Sequence, residues 1–169
     1  MRTFTKKSVI VISFVCMIAF ISSGCQVFQK LAVSMQVRNY VNVLKEENVD
    51  KLMSMLSDSY IQDILEARSR KEYYNPITER YEKVEYTRED LKKDLQKRFD
   101  DYFQVTGMDL SYLEIVVEGE YAQASNIYIK GIFGKESEDR IISESLSLRK
   151  EGNKWMITGC GFVGYSYYY

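Results

Sequence analysis

The sequence predicts an α+β domain behind a short apolar leader, and three observations predict it. Apolar residues recur at helical spacing through the first half of the chain. Beyond Gly107 that spacing drops to two, the period of strands. Before either, the 13 residues from Val9 to Ile21 form an apolar run broken only by Ser13. Helices gathered at one end and strands at the other define the α+β class.

The leader comes first. Arg2, Lys6 and Lys7 give it a positive start without an acid. The apolar run is too short for a hydrocarbon core, which takes about 20 residues. It suits the apolar region of a secretory signal. Ser22, Ser23 and Gly24 follow, then Cys25. This arrangement resembles a bacterial lipoprotein signal peptide. Ser23-Gly24-Cys25 matches the lipobox, although the position three before the Cys, usually Leu, is Ser22, with Ile21 one step earlier. The resemblance implies cleavage before Cys25 and acylation of Cys25, of the palmitate kind. The chain then divides into a signal peptide at 1–24, a lipidated Cys and short tether at 25–31, and a single domain at 32–169. The expected location is the extracytoplasmic face of a cell membrane, held through the lipid.

Processing changes the charge and the cysteines. Loss of the three basic residues of the leader takes the net charge from −1 to −4. Cys16 leaves with the signal and Cys25 is acylated, so Cys160 is the remaining thiol and no internal disulfide can form. An exported domain of this kind is held by its core.

Val33, Val37, Tyr40, Val41 and Leu44 mark one face of the first helix. Asn48 and Asp50 are candidate stop and N-cap residues before a second helix carrying Leu52, Met53 and Leu56, which runs on to Tyr60 and Ile64 unless Ser57-Asp58-Ser59 breaks it. Residues 68–86, charged and aromatic around Pro76, read as a loop or an irregular crossing segment. Thr87 with Asp90 forms a capping box for a helix with Leu91, Leu95, Phe99, Tyr102 and Phe103 on its stripe, ended by Gly107. Strands follow around Leu113–Val117, over Tyr121–Phe133, over Arg140–Lys150, and from Trp155 to about Val163, joined by short turns as an antiparallel meander.

Three stretches carry a second resemblance. They are Tyr40-Val41-Asn42-Val43-Leu44 through Asn48-Val49-Asp50-Lys51-Leu52; Glu118-Gly119-Glu120-Tyr121-Ala122-Gln123-Ala124; and Leu146 through the Glu151-Gly152-Asn153 turn to Trp155-Met156-Ile157. In this order they resemble the nuclear transport factor 2-like superfamily, the cone-shaped fold shared with ketosteroid isomerase. The resemblance implies helices packed in the concave face of a curved antiparallel sheet, with a pocket at the open end. Its members include isomerases, dehydratases and cyclases as well as non-catalytic modules, so the fold leaves function open.

Composition narrows the chemistry. With no His in the chain there is no Ser-His-Asp or Cys-His catalysis and no imidazole ligand. A net charge near zero argues against a nucleic-acid partner. The series Asp90, Asp94, Asp100 and Asp101 lies among lysines and arginines on a helix, and no Asp-x-Asn-x-Asp-Gly loop occurs, so no metal and no cofactor are expected. Glu144 shares strand parity with Ile142, Leu146 and Leu148, so a carboxylate sits on an apolar face. It is either a pocket base or ligand anchor, or a rim residue in water or in an ion pair. Asn126 and Tyr128 share the parity of Ala122 and Ala124, whose small size leaves room for a pocket or for a helix. Asn126, Tyr128 and Glu144 are therefore the candidate pocket or ligand-binding residues, and a Tyr beside Glu144 would suit enolate stabilisation. No catalytic constellation is legible. The expectation is a membrane-anchored binding or assembly module that is not an enzyme, with an envelope protein, a second copy or a small molecule as partner. The alternative is an isomerase- or dehydratase-like enzyme using a pocket carboxylate and a tyrosine. Cys160 reads as a buried inert thiol, and the tail Tyr165–Tyr169 as an aromatic segment that seeks burial.

Overall fold

The computed structural model describes residues 6–70, 72–77, 79–133 and 139–164. The aromatic tail beyond Gly164 lies outside the described residues.

Helix α1 (Lys6–Lys45) runs without a break from the leader into the domain, and residues 26–31 are part of it. Its predicted stripe is the one it buries: Val33, Val37, Tyr40 and Leu44 are fully inaccessible and Val41 nearly so. Asn48 caps α2 (Val49–Met55) by accepting from the Lys51 amide at 2.9 Å. The serine-rich break is real and also a start. Ser57 accepts from the Tyr60 amide and caps α3 (Asp58–Ser69). Its own amide donates to the Ile157 carbonyl at 2.9 Å, which fastens the α2–α3 link to the last strand.

Residues 68–86 are not a plain loop. They close α3 and then form a hairpin of β1 (Glu72–Asn75) and β2 (Arg80–Lys83). The Thr87–Asp90 capping box opens α4 (Arg88–Tyr102), with both reciprocal bonds made. Gly107 does not end that helix. The chain passes from Tyr102 straight into β3 (Phe103–Asp109), and Gly107 sits in that strand beside an irregularity.

Strands β4 (Glu114–Glu118), β5 (Tyr121–Phe133), β6 (Asp139–Glu151) and β7 (Lys154–Cys160) complete a five-stranded antiparallel sheet. The path is β3-β5-β6-β7, and β4 shares with β3 the same edge of β5. β4 takes residues 121–125 of β5 and β3 takes 128–133. Three register shifts interrupt the ladders, between Val105 and Gly107, between Ala124 and Ile127, and between Ser147 and Leu148. Bulges of this kind bend a sheet. α1 packs across the bent sheet, and α2, α3 and α4 close the layer. The result is the expected α+β class: helices on one face of a curved antiparallel sheet.

One core joins the layers. Trp155 and Ile157 of β7, Leu146 and Leu148 of β6, and Ala122, Ala124, Ile127 and Ile129 of β5 point into it. At Gly131 the backbones of β3 and β5 approach so closely that a Cβ would stand 2.1 Å from the Gln104 carbonyl oxygen. The described chain ends in a short turn of helix, α5 (Gly161–Gly164), with Phe162 and Val163 buried and Phe162 stacked on Phe99 at 4.9 Å. Among the described residues no helix is long and apolar enough to cross a membrane.

Candidate functional site

The three candidate residues divide between two faces of the sheet. The cause is Asn126. It holds φ at 59°, the left-handed conformation that Asn tolerates better than most residues, at the bulge of β5. The extra residue reverses the alternation, so Ile127 and Ile129 turn inward in place of the next even positions. Tyr128 therefore faces away from Ala122 and Ala124, not with them. It pairs with Ser143 and lines a groove of about 540 Å³ with Met108, Asp109, Tyr112, Lys130 and Ile141. There its ring meets Tyr112 edge-on at 6.4 Å. The Asp109 carboxyl in that groove accepts from Ser111, which holds it below the usual carboxylate range.

Glu144 points the other way, into the protein, opposite Ile127 in the ladder. It is 8% exposed, and it is neither bathed at the rim nor matched with a basic side chain. Its partners are amides. Oε1 accepts from Gly161 at 2.7 Å and from Ser145 at 3.0 Å. Oε2 accepts from Phe162 at 3.0 Å and from the Tyr40 hydroxyl at 3.5 Å. Such bonds satisfy a buried anion as an ion pair would. They also fix the corner at which β7 turns into α5. The carboxylate lies so close beneath Gly161 that a Cβ there would meet its oxygens at 2.8 and 3.0 Å.

Two tyrosines and a thiol gather around this carboxylate. Tyr40, read from the sequence as a plain core residue of α1, is fully buried, and loss of solvent raises its phenol well above the ordinary value. Tyr60 of α3 donates to the Cys160 carbonyl at 3.1 Å and accepts from the Cys160 amide at 3.3 Å. Burial raises its phenol too. Burial also pushes the Cys160 thiol up to about 12, so it stays protonated and inert. Both phenols thus act as neutral donors, not as bases.

The cluster borders open space. β7 pairs with residues 146–151 of β6 only, and where it departs a groove of about 430 Å³ opens. Ser125, Asn126, Ser143, Ser145 and Ser147 line it, with Glu144 and Cys160 at its inner side and Gly161 and Gly164 at its rim. This groove joins Asn126 and Glu144 and excludes Tyr128. The tyrosine near Glu144 is instead Tyr40, 104 positions away in sequence. A groove lined by serines, an asparagine and a glutamate suits a small polar molecule. Among the described residues no three His, Cys, Asp or Glu side chains converge as a metal site would require.

No protein-family model matches the sequence, and no curated protein is similar to it. Solved structures similar in fold include these two. One, from Novosphingobium aromaticivorans, is assigned as a scytalone dehydratase; it is 15% identical over 82% of this chain and 85% of its own, with a TM-score of 0.48. The other, from Shewanella denitrificans, is assigned as a SnoaL-like polyketide cyclase; it is 11% identical over 75% of this chain and 85% of its own, with a TM-score of 0.40. The expectation of a chain that is not an enzyme is corrected to this extent: both structures carry the names of enzymes, a likeness that assigns this chain no activity. At such identities the likeness concerns fold alone and assigns no substrate.

Proposed function

We propose that this is a lipid-anchored, extracytoplasmic protein that binds a small polar molecule at the Glu144 groove and acts on it in the manner of an isomerase or dehydratase. The observation that carries the reading is a buried carboxylate bordering a hydroxyl-lined groove with a protonated tyrosine at its back. Three amide bonds hold the carboxyl group in position. The Tyr40 contact, at 3.5 Å, is the loosest of the four. A substrate hydroxyl or an acidified C–H can therefore compete for that lone pair without breaking the corner. Asn126 and the serines of β6 would hold the polar groups of the ligand, and the Tyr40 hydroxyl is the donor for negative charge developing beside Glu144. The lipid anchor at Cys25 rests on the basic start, the short apolar run and Ser23-Gly24-Cys25.

The test uses small hydroxy-ketones in deuterated water. Wild-type protein should accelerate exchange of the C–H next to the carbonyl. Tyr40→Phe should lower the rate about 10²-fold or more, the ordinary scale for a positioned donor or proton-transfer group. Absence of both exchange and a ligand-dependent rise in melting temperature across the panel would refute the groove as a site. For the anchor, mass spectrometry should find an acylated Cys25 as the first residue; an intact, unacylated leader would refute it.

A further inference from the structure

Beyond the domain's core-facing stripe, α1 carries a second apolar stripe that stands exposed among the described residues. Val27, Phe28, Leu31 and Met35 are 67, 74, 57 and 58% exposed, beginning two residues after Cys25. At about 100° per residue they fall in one sector of the helix, roughly opposite the sector of Val33, Val37, Tyr40 and Leu44, which is buried in the domain. The two stripes thus lie on opposite sides of the same rod. The charge on this helix has one sign. Between Gln26 and Lys45 the ionisable side chains with a charge are Lys30, Arg38 and Lys45, and the first acid is Glu46. Arg38 and Lys45 continue the apolar sector further along the helix. Beside Met35, across a shallow groove, stands the β6–β7 turn with Lys154.

We infer that the first three turns of α1 after Cys25 are an interfacial membrane-binding helix, lying with Val27, Phe28, Leu31 and Met35 in the head-group and acyl boundary of an anionic bilayer. This rests on the lipid-anchor reading above. An acyl chain on Cys25 brings that residue to the membrane surface. Met35 is then about 15 Å away along the helix axis. An upright helix would expose the stripe to water, whereas a recumbent one buries all four side chains and brings the basic groups to the lipid phosphates. Because the core stripe faces the opposite way, a recumbent helix carries the domain on its upper side without a clash. The second contact fixes orientation, which a single flexible acyl attachment cannot do.

The test uses the processed, lipidated full chain in phosphatidylethanolamine–phosphatidylglycerol vesicles. A nitroxide is placed at Leu31→Cys or, as a reference, at exposed Gln104→Cys. Cys25 is blocked by acylation and Cys160 is buried, so the introduced thiol is the one labelled. The label at 31 should show an oxygen-to-nickel-chelate accessibility ratio severalfold above that at 104. Combining Phe28→Asp with a label at Met35→Cys should lower the ratio at 35, since losing one interfacial aromatic weakens the contact by about tenfold. If the protein sediments with vesicles but the label at 31 is as open to nickel as that at 104, the inference is overturned while the anchor stands. A label at 31 shielded from both reagents marks a protein contact and overturns it as well. If the protein neither sediments nor carries acyl mass, the anchor reading has failed instead.

Discussion

Removing the Glu144 carboxylate should be among the most damaging single changes in the domain. Glu144→Ala strips the acceptor from three amides and from the Tyr40 hydroxyl. The Phe162 amide and the Tyr40 hydroxyl are in buried bonds, and the Ser145 and Gly161 amides are partly accessible, so water can replace their lost partner. An orphaned buried donor costs about 1–3 kcal/mol, and the two buried ones together with the void give about 3–5 kcal/mol. That is a large part of the 5–15 kcal/mol typical of a whole domain. Glu144→Gln keeps one acceptor oxygen but turns an amide NH₂ towards other donors, so it should lose about half as much. The assay is urea unfolding followed by emission of Trp155, the one tryptophan, buried in β7. With a slope of about 2 kcal/mol/M the midpoint of Glu144→Ala should fall by about 1.5–2.5 M. A fall below about 0.3 M, the behaviour of an ordinary surface carboxylate, would refute the assignment of Glu144 as the fastening of the β7–α5 corner.

Other expectations follow from the same contacts. Gly131→Ala drives a Cβ against the Gln104 carbonyl and should cost about 3 kcal/mol by thermal melting; an unchanged melting temperature would contradict the β3–β5 register. From neutral pH upwards stability should hold to about pH 8 and then fall, because the raised folded values of the Cys160 thiol and the Tyr40 phenol mean that the unfolded chain releases those protons first. These two groups should together contribute about 2–3 kcal/mol per pH unit to the fall once both ionise in the unfolded chain, and Tyr40→Phe should make it shallower; an unaltered slope would count against burial of that phenol. Tyr86→Phe removes a hydroxyl that donates to Asp94 at 2.5 Å and accepts from Arg68 at 2.7 Å, and should cost about 1 kcal/mol in the same urea assay; no change would show the Arg68–Asp94 pair to be indifferent to it. Cys160 should react with thiol reagents only as fast as the domain opens, so rapid labelling of native protein would contradict its burial.

What the sequence disclosed, and what it hid, follows from how local each signal is. The α1 stripe, the Asn48 and Thr87 caps, and the turns at Gly119 and Gly152, both with φ of 61°, depend on neighbours within four residues. Alternation placed Glu144 inside correctly because β6 keeps its parity from Ile142 to Leu148. It misplaced Tyr128 because one left-handed residue upstream inverted the count. An Asn flanked by Ser125 and Ile127 in a strand was the available hint of a bulge. β3 was missed because Tyr102 and Phe103 extend the helical stripe and no turn residue divides helix from strand. The partner of Glu144 could not be found from spacing, since Tyr40 looks like any other core position until the sheet folds back over α1.

The position of Gly164 has a practical consequence for handling the protein. It lines the Glu144 groove. A purification tag or fluorescent fusion joined directly after Gly164 would start beside the proposed binding site and could be mistaken for a ligand or exclude one. The exposed turn between β1 and β2, around Pro76 and Glu79, belongs to neither groove and is the better place for an epitope.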